Sequence, residues 1–311
     1  MTSRPLVSVI IPAHNAAKFI EEAIDSALHQ SYSTVEVVVV DDGSTDATRD
    51  VLRSYGNAIT SVFQPNAGQS AAINRGFCQT TGDLIAYLGA DDRLHTSAIE
   101  ILVNTMVRDE LACLVYPDFH LIDERGAVIR RVLAPPYEQR RLIADFRCLP
   151  GPGALVRKRA WSRCGGWSNS FRQIPDMDFY FRLSLLGPFA RVPHYLADFR
   201  VHPGSTTKKA SSHEMANEPM KLINEFFNRS DLPASVRMCE RQSRASALAL
   251  AGFLHATGNR KTLSAQCFAQ AIRLNPRTLL SRQFASYATR SLVRLLVCSS
   301  GIDRKSMRGL L

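Results

Sequence analysis

The sequence predicts an α/β protein: a mostly parallel central sheet flanked by helices over the first two thirds, then an α-helical C-terminal region. Three observations carry this. Apolar runs without alternation, such as "VSVII" and "VEVVVV", are the pattern of strands buried on both faces. Stretches with apolar residues at helical spacing separate them. Beyond about residue 211 the strand pattern stops and helical periodicity takes over.

Residues 6–11 form the first strand. "AAKFIEEAIDSALHQ" follows as a helix with Phe19, Ile20, Ala23, Ile24, Ala27 and Leu28 on one face. "VEVVVV" is the second strand. "STDATRDVLRSY" opens with helix-start residues ahead of Val51 and Leu52. "AITSVFQ" gives a third strand, "GQSAAINRGFCQT" a third helix and "DLIAYL" a fourth strand. Repeated β-α units of this length imply parallel strands with right-handed crossovers. "SAIEILVNTMVRDE" is a helix, and "ACLVYPDFHLIDERGAVIRRVL" holds two strands about a turn at Glu124–Gly126. "PGPGALVRKRAWSRCGGW" reads as loop, short strand and helix. "DMDFYFRLSLLG" is a helix stopped by Gly187 and Pro188, and "YLADFRVH" a strand. In the tail, residues 245–276 resemble one tetratricopeptide helix pair, with Gly258 in the turn and Pro276 at the end.

Charge divides the chain. Residues 1–202 hold 21 Lys+Arg and 22 Asp+Glu, whereas residues 203–311 hold 17 and 6, so the tail supplies the whole net charge of +10. A basic helical tail suits an anionic membrane surface or an acidic partner. No nucleic-acid motif or aromatic-basic interleaving accompanies it, and nucleic acid is not expected. The seven cysteines are odd in number and lack any C-x-x-C, which points away from disulfides and zinc and toward a reducing cytoplasm. No run of about 18 apolar residues suggests a membrane span. The final helix, "TLLSRQFASYATRSLVRLLV", mixes apolar residues with arginines and suits either a packed terminal helix or a peripheral position at the inner membrane face.

In parallel sheets ligands sit beyond the carboxyl ends of the strands. That rule gathers Pro12–Asn15, Asp41–Ser44 and Asp91–Asp92 on one rim. Adjacent carboxylates repel unless a cation or donor compensates, and a hard divalent ion with phosphate oxygens is a natural compensator. The first strand is followed by no G-x-G-x-x-G, and no G-x-x-x-x-G-K-[ST] occurs, which excludes the usual dinucleotide and P-loop modes.

"VSVIIPAHNAAKFIEEAIDSALHQSYSTVEVVVVDDGSTDAT", "NAGQSAAINRG" and "GDLIAYLGADD", in this order and spacing, resemble glycosyltransferase family 2 over residues 6–202. The resemblance implies a GT-A fold, inversion, and a nucleotide-diphosphate sugar donor, a UDP-sugar foremost. It implies a catalytic domain over 1–205, with a nucleotide-sugar half over about 1–95 and an acceptor half over about 96–205, followed by a helical region over 206–311. Pro12, His14 and Asn15 are then expected to line the nucleotide pocket and Asp42 to hold the base, with Asn66, Gly68 and Asn74 approaching the nucleotide. Asp91 and Asp92 are expected to meet ribose, diphosphate and a Mg²⁺ or Mn²⁺ ion. "PDMDFYFRL" is similar to the acceptor-side motif, which makes Asp176 the expected general base; a helix-start acid favoured by the dipole is the alternative. "FRVHPGSTT" is similar to the family's closing loop, which aims His202 and Arg200 at the diphosphate. Trp161 and Trp167 suit either sugar stacking or the core.

The chain departs from the family pattern at His14, where an aromatic residue is common, at Pro175, where Glu often precedes the base, and at Gly89, where the first acid of Asp-x-Asp-Asp would fall. If Asp91 and Asp92 suffice for the ion, Gly89→Asp leaves activity similar. The expected partners are the nucleotide sugar, a glycan or lipid-linked acceptor, and the anionic membrane. The expected setting is extracellular polysaccharide or lipid-linked glycan synthesis; the alternative is a silent nucleotide-sugar-binding or scaffold protein acting through its tail.

Overall fold

The computed structural model describes residues 4–148, 150–205 and 210–300, the last eight of these by backbone alone. By contact, the chain divides into two units. One holds residues 1–137 and 148–205, the other residues 138–147 and 206–311.

In the first unit nine strands, among the described residues, join in one sheet. β1 (Val7–Ala13), β2 (Val35–Asp42), β3 (Thr60–Gln64) and β4 (Leu84–Tyr87) pair in parallel in the order β3-β2-β1-β4. Between them run α1 (Ile20–Leu28), α2 (Thr48–Ser54) and α3 (Gln69–Phe77), each close to its expected span. The sheet continues through β8 (Leu155–Arg157), antiparallel to β4, to β6 (Leu114–Ile122) and β9 (Phe189–Arg200). β5 (Arg93–Leu94) edges β9, and β7 (Val128–Val132) hangs from β6.

The apolar runs explain the layering. Val7, Val9 and Ile11 of β1 share a core with Ile20 and Ile24 of α1 and with Ile99, Leu102 and Met106 of α4 (Ala98–Arg108). The opposite face of the sheet buries Val38 and Val40 against Ala72 of α3. Burying one such side chain contributes about 1.5–3 kcal/mol, so this stack fixes the strand ends that carry the polar clusters. Two further helices, α6 (Lys158–Cys164) and α7 (Pro175–Leu183), follow β8.

The second unit is helical. α5 (Gln139–Ala144) packs with α10 (Glu240–Thr257), where the Ser243 hydroxyl donates to Ile143 O at 2.6 Å. α8 (His213–Phe227) starts at Ser212, whose side chain accepts from Met215 N. After the short α9 (Ala234–Arg237) and α10, the turn at Gly258 and Asn259, the latter at φ 57°, leads into α11 (Lys261–Leu274). Leu248, Ala249, Ala271 and Phe284 form a small core of this helix pair with α12 (Arg282–Ser300). No helix among the described residues is long and apolar enough to cross a membrane. The end of the expected membrane-facing helix lies outside the described side chains.

Candidate active site

β1 and β2 run side by side and deliver Pro12 and Ala13 opposite Val40 and Asp41. Pro12 is half-buried, while His14 and Asn15 lie exposed just beyond. The His14 ring contacts Asp42 O at 2.8 Å and the Asn66 amide at 3.2 Å. Asn15, at φ 50°, accepts from Thr45 N and donates its own N–H to the Ser44 hydroxyl. His14, Asn15 and Asn66 therefore form one exposed polar rim, as the strand-end rule requires.

Asp42 has different partners from the expected base. It is only 4% exposed, and its carboxylate accepts from Gln64 Nε2, Ala67 N and Gly68 N at 2.7–2.8 Å. It holds the 66–68 loop in place. Gly68 enters α3 at φ 92°, a conformation that favours glycine, while a side chain there would meet nothing within 4 Å. Asn74, expected at the nucleotide, clamps the Trp167 backbone instead. Its Nδ2 donates to Trp167 O at 2.7 Å and its Oδ1 accepts from Trp167 N at 2.9 Å. Both amide ends are used, and they tie α3 to the segment after α6. Trp161 and Trp167 are buried; they pack on Phe77, Phe179 and Tyr87 and belong to the core.

The acid pair follows β4. Asp92 Oδ1 accepts from Arg200 N at 2.9 Å, and Asp91 Oδ2 meets His202 Nε2 at 3.0 Å. The other two oxygens converge: a Cβ built on Gly89 would lie 2.7 Å from Asp92 Oδ2 and 3.0 Å from Asp91 Oδ1. Burial first, then the charge of Asp91, pushes the Asp92 pKa well above the ordinary carboxylate range, against the pull of the Arg200 N–H. Gly89 is thus packed under both carboxylates, and an aspartate there must displace them.

Arg200 corrects an expectation. Its side chain is fully buried, so it cannot reach a diphosphate. Its guanidinium donates to Asp91 O, Asp123 O, Glu124 O and, at 2.6 Å, Glu22 Oε2, and it lies 4.8 Å above the Phe19 ring. Four protein acceptors occupy it, and its role is to hold the acid-pair turn from behind. Phe19 also packs on His202, with ring centroids 4.9 Å apart. Phe19 and Glu22 were invisible as site residues because they read as an apolar position and an exposed acid on α1.

Asp176 begins α7 and is half-buried. Its Oδ1 accepts from Met177 N at 2.9 Å, and the Cys148 thiol donates to Oδ2 at 3.5 Å. Burial raises its pKa, with these two hydrogen bonds opposing. Asp178 points elsewhere and pairs with Arg182, whose guanidinium also donates to Cys164 O and Gly166 O. Tyr87 is the last residue of β4. Burial, then the charges of Asp92, Asp91 and Asp176 in that order, raises its pKa, and its hydroxyl accepts from Gln69 Nε2 at 2.5 Å. Nothing in the sequence marked Tyr87 beyond its place at the end of β4, nor Cys148, a lone thiol in a loop.

Comparison with known proteins shows the family and the fold. The family described as "Glycosyl transferase family 2" matches residues 8–163, half the chain. A Rickettsia typhi protein described as an uncharacterized glycosyltransferase is 31% identical over 67% of this chain and 68% of its own length. Escherichia coli chondroitin synthase is 32% identical over 72% of this chain, which spans only 33% of that protein. Among solved structures, S. aureus TarS 1–349 in complex with UDP superposes with a TM-score of 0.67 at 17% identity, covering 96% of this chain and 93% of that one. A Pyrobaculum calidifontis mannosyltransferase in complex with GDP-Man and Mn²⁺ gives a TM-score of 0.61 at 16% identity, covering 96% and 87%. With a GT-A fold and a family match over half its length, the chain belongs to glycosyltransferase family 2.

Proposed function

We propose that the chain transfers a sugar from a nucleotide-diphosphate sugar, of the UDP-sugar class, to an acceptor hydroxyl with inversion, in polysaccharide or lipid-linked glycan synthesis. The observation that carries this is the acid pair beyond β4, whose two free oxygens both lie over Gly89 while the Arg200 N–H and the His202 ring hold the other two. The relatives named as glycosyltransferases and chondroitin synthase, and the neighbours bound to UDP and GDP-Man, support the donor class.

The nucleotide end is formed by Pro12, His14, Asn15 and Asn66, the exposed rim beyond β1 and β3. The acid pair fits a divalent ion. Two converging oxygens, one on a carboxylate whose pKa burial and its neighbour's charge raise, form a hard, repelling donor set that a cation relieves. Asp91 and Asp92 would hold Mg²⁺ or Mn²⁺, whose Lewis acidity stabilises a departing diphosphate. His202 fixes Asp91, and Arg200 fixes the turn that carries both acids. Asp176 accepts the proton of the attacking hydroxyl, and the Cys148 thiol orients its carboxylate.

Asp176→Asn tests the reading. It abolishes sugar transfer while calorimetric titration with UDP and Mn²⁺ stays as in the wild type; loss of both together would remove Asp176 from the base role. The basic tail is proposed as a contact with anionic membrane lipid, on its charge alone.

A further inference from the structure

His95, His120 and Asp198 stand together outside the acid pair, although Asp198 lies 103 residues from His95 and 78 from His120 in the chain. β5 brings Arg93 opposite Asp198 on β9, and β9 lies parallel to β6 with His120 opposite Asp198. Three strands thus converge on one carboxylate. Asp198 Oδ1 lies 2.9 Å from His95 Nε2 and 3.1 Å from His120 Nδ1. The three donor atoms all fall within 4.8 Å of one another.

We propose that this cluster binds a borderline transition-metal ion of the Zn²⁺ class, at a site separate from the Asp91–Asp92 pair. Two imidazoles and one carboxylate are the donor set of such ions, whereas Mg²⁺ and Mn²⁺ prefer oxygen alone. In a tetrahedral Zn²⁺ site with ligands at 2.0–2.1 Å, neighbouring donors lie about 3.3 Å apart. The two nitrogen–oxygen edges here need to open by only a few tenths of an ångström, and the nitrogen–nitrogen edge, within 4.8 Å, has to close by up to about 1.5 Å, which rotation of the part-exposed His95 side chain supplies.

The supports are already in place. Arg93 Nε donates to Asp198 Oδ2 at 2.6 Å, which leaves Oδ1 as the atom facing both rings. A hydrogen bond on the non-ligating oxygen is a common way to orient a ligand carboxylate. The His120 ring stacks on Tyr195 with centroids 4.6 Å apart, which fixes its plane. His95 is one third exposed, so a water molecule can supply a fourth ligand.

Co²⁺ titration of the full chain in metal-free buffer tests the site, because tetrahedral Co²⁺ shows intense visible bands that octahedral Co²⁺ lacks. The expected result is one Co²⁺ per chain with such bands, displaced by Zn²⁺. Affinity falls more than about tenfold in His95→Gln and in His120→Gln, and is unchanged in Asp91→Asn. Circular dichroism checks that each variant is folded. If His120→Gln does not fold, His95→Gln, at a partly exposed position, decides alone. Absence of the bands in the folded wild type, their survival in the folded histidine variants, or their loss in Asp91→Asn would each overturn the proposal.

Discussion

Gly89 shows how one atom sets the behaviour of a site. With hydrogen as its side chain, Asp91 and Asp92 can draw their free oxygens over it. A Cβ forces them apart, and an aspartate adds a third negative charge. Gly89→Asp is therefore not silent. It lowers the melting temperature of the metal-free protein by a few degrees and enlarges the rise on adding Mn²⁺, both read by thermal shift. Asp176 carries a pH prediction. Burial raises its folded pKa, so the carboxylate becomes protonated as pH falls through a value above the ordinary ~4, and kcat/KM falls with it. An acid limb at or below ~4 would point to another base. The linkage has the same sign: a raised carboxylate pKa costs stability once pH exceeds the unfolded value. Asp176→Asn thus keeps or raises the melting temperature at neutral pH.

At the scale of elements, Arg182 ties α7 to the end of α6 through backbone carbonyls, beside the packing of Trp161 on Phe179. Arg182 pairs with Asp178 one turn back and reaches the carbonyls of Cys164 and Gly166. Asp178→Ala leaves that guanidinium without its counter-charge in a largely buried place and costs about 3 kcal/mol in urea denaturation. Asn74→Ala removes both bonds between α3 and Trp167 and costs about 2 kcal/mol, with UDP affinity unchanged in the folded protein. The sequence made β1 to β4 legible because strands buried on both faces leave unbroken apolar runs. It missed β5, two residues long, and α5, six residues long between "APPYE" and "DFRCLP". It started β9 too late because "FARVPH" mixes Arg191, Pro193 and His194 into a sheet position. The acid motifs were legible as local patterns. The roles of Arg200, Asn74 and Tyr87 were not, because each depends on partners 18 to 178 residues away that only the tertiary structure supplies.

For the whole molecule, the division by charge follows a division by structure only in part. The basic residues of 206–311 belong to the helical unit, but so do residues 138–147. Leu142, Ile143 and Ala144 are at most 1% exposed, and α10 packs on them. Cutting the chain after Ser205 exposes this apolar turn, and such a truncation is expected to aggregate at concentrations where the full chain stays monodisperse by size-exclusion chromatography. The segment also redefines what can be exchanged between relatives. A chimera that grafts foreign helices after residue 205 keeps the old α5 without the helix shaped to receive it. The heritable module is two pieces of chain, and recombination that respects only the linear boundary separates a lock from its key.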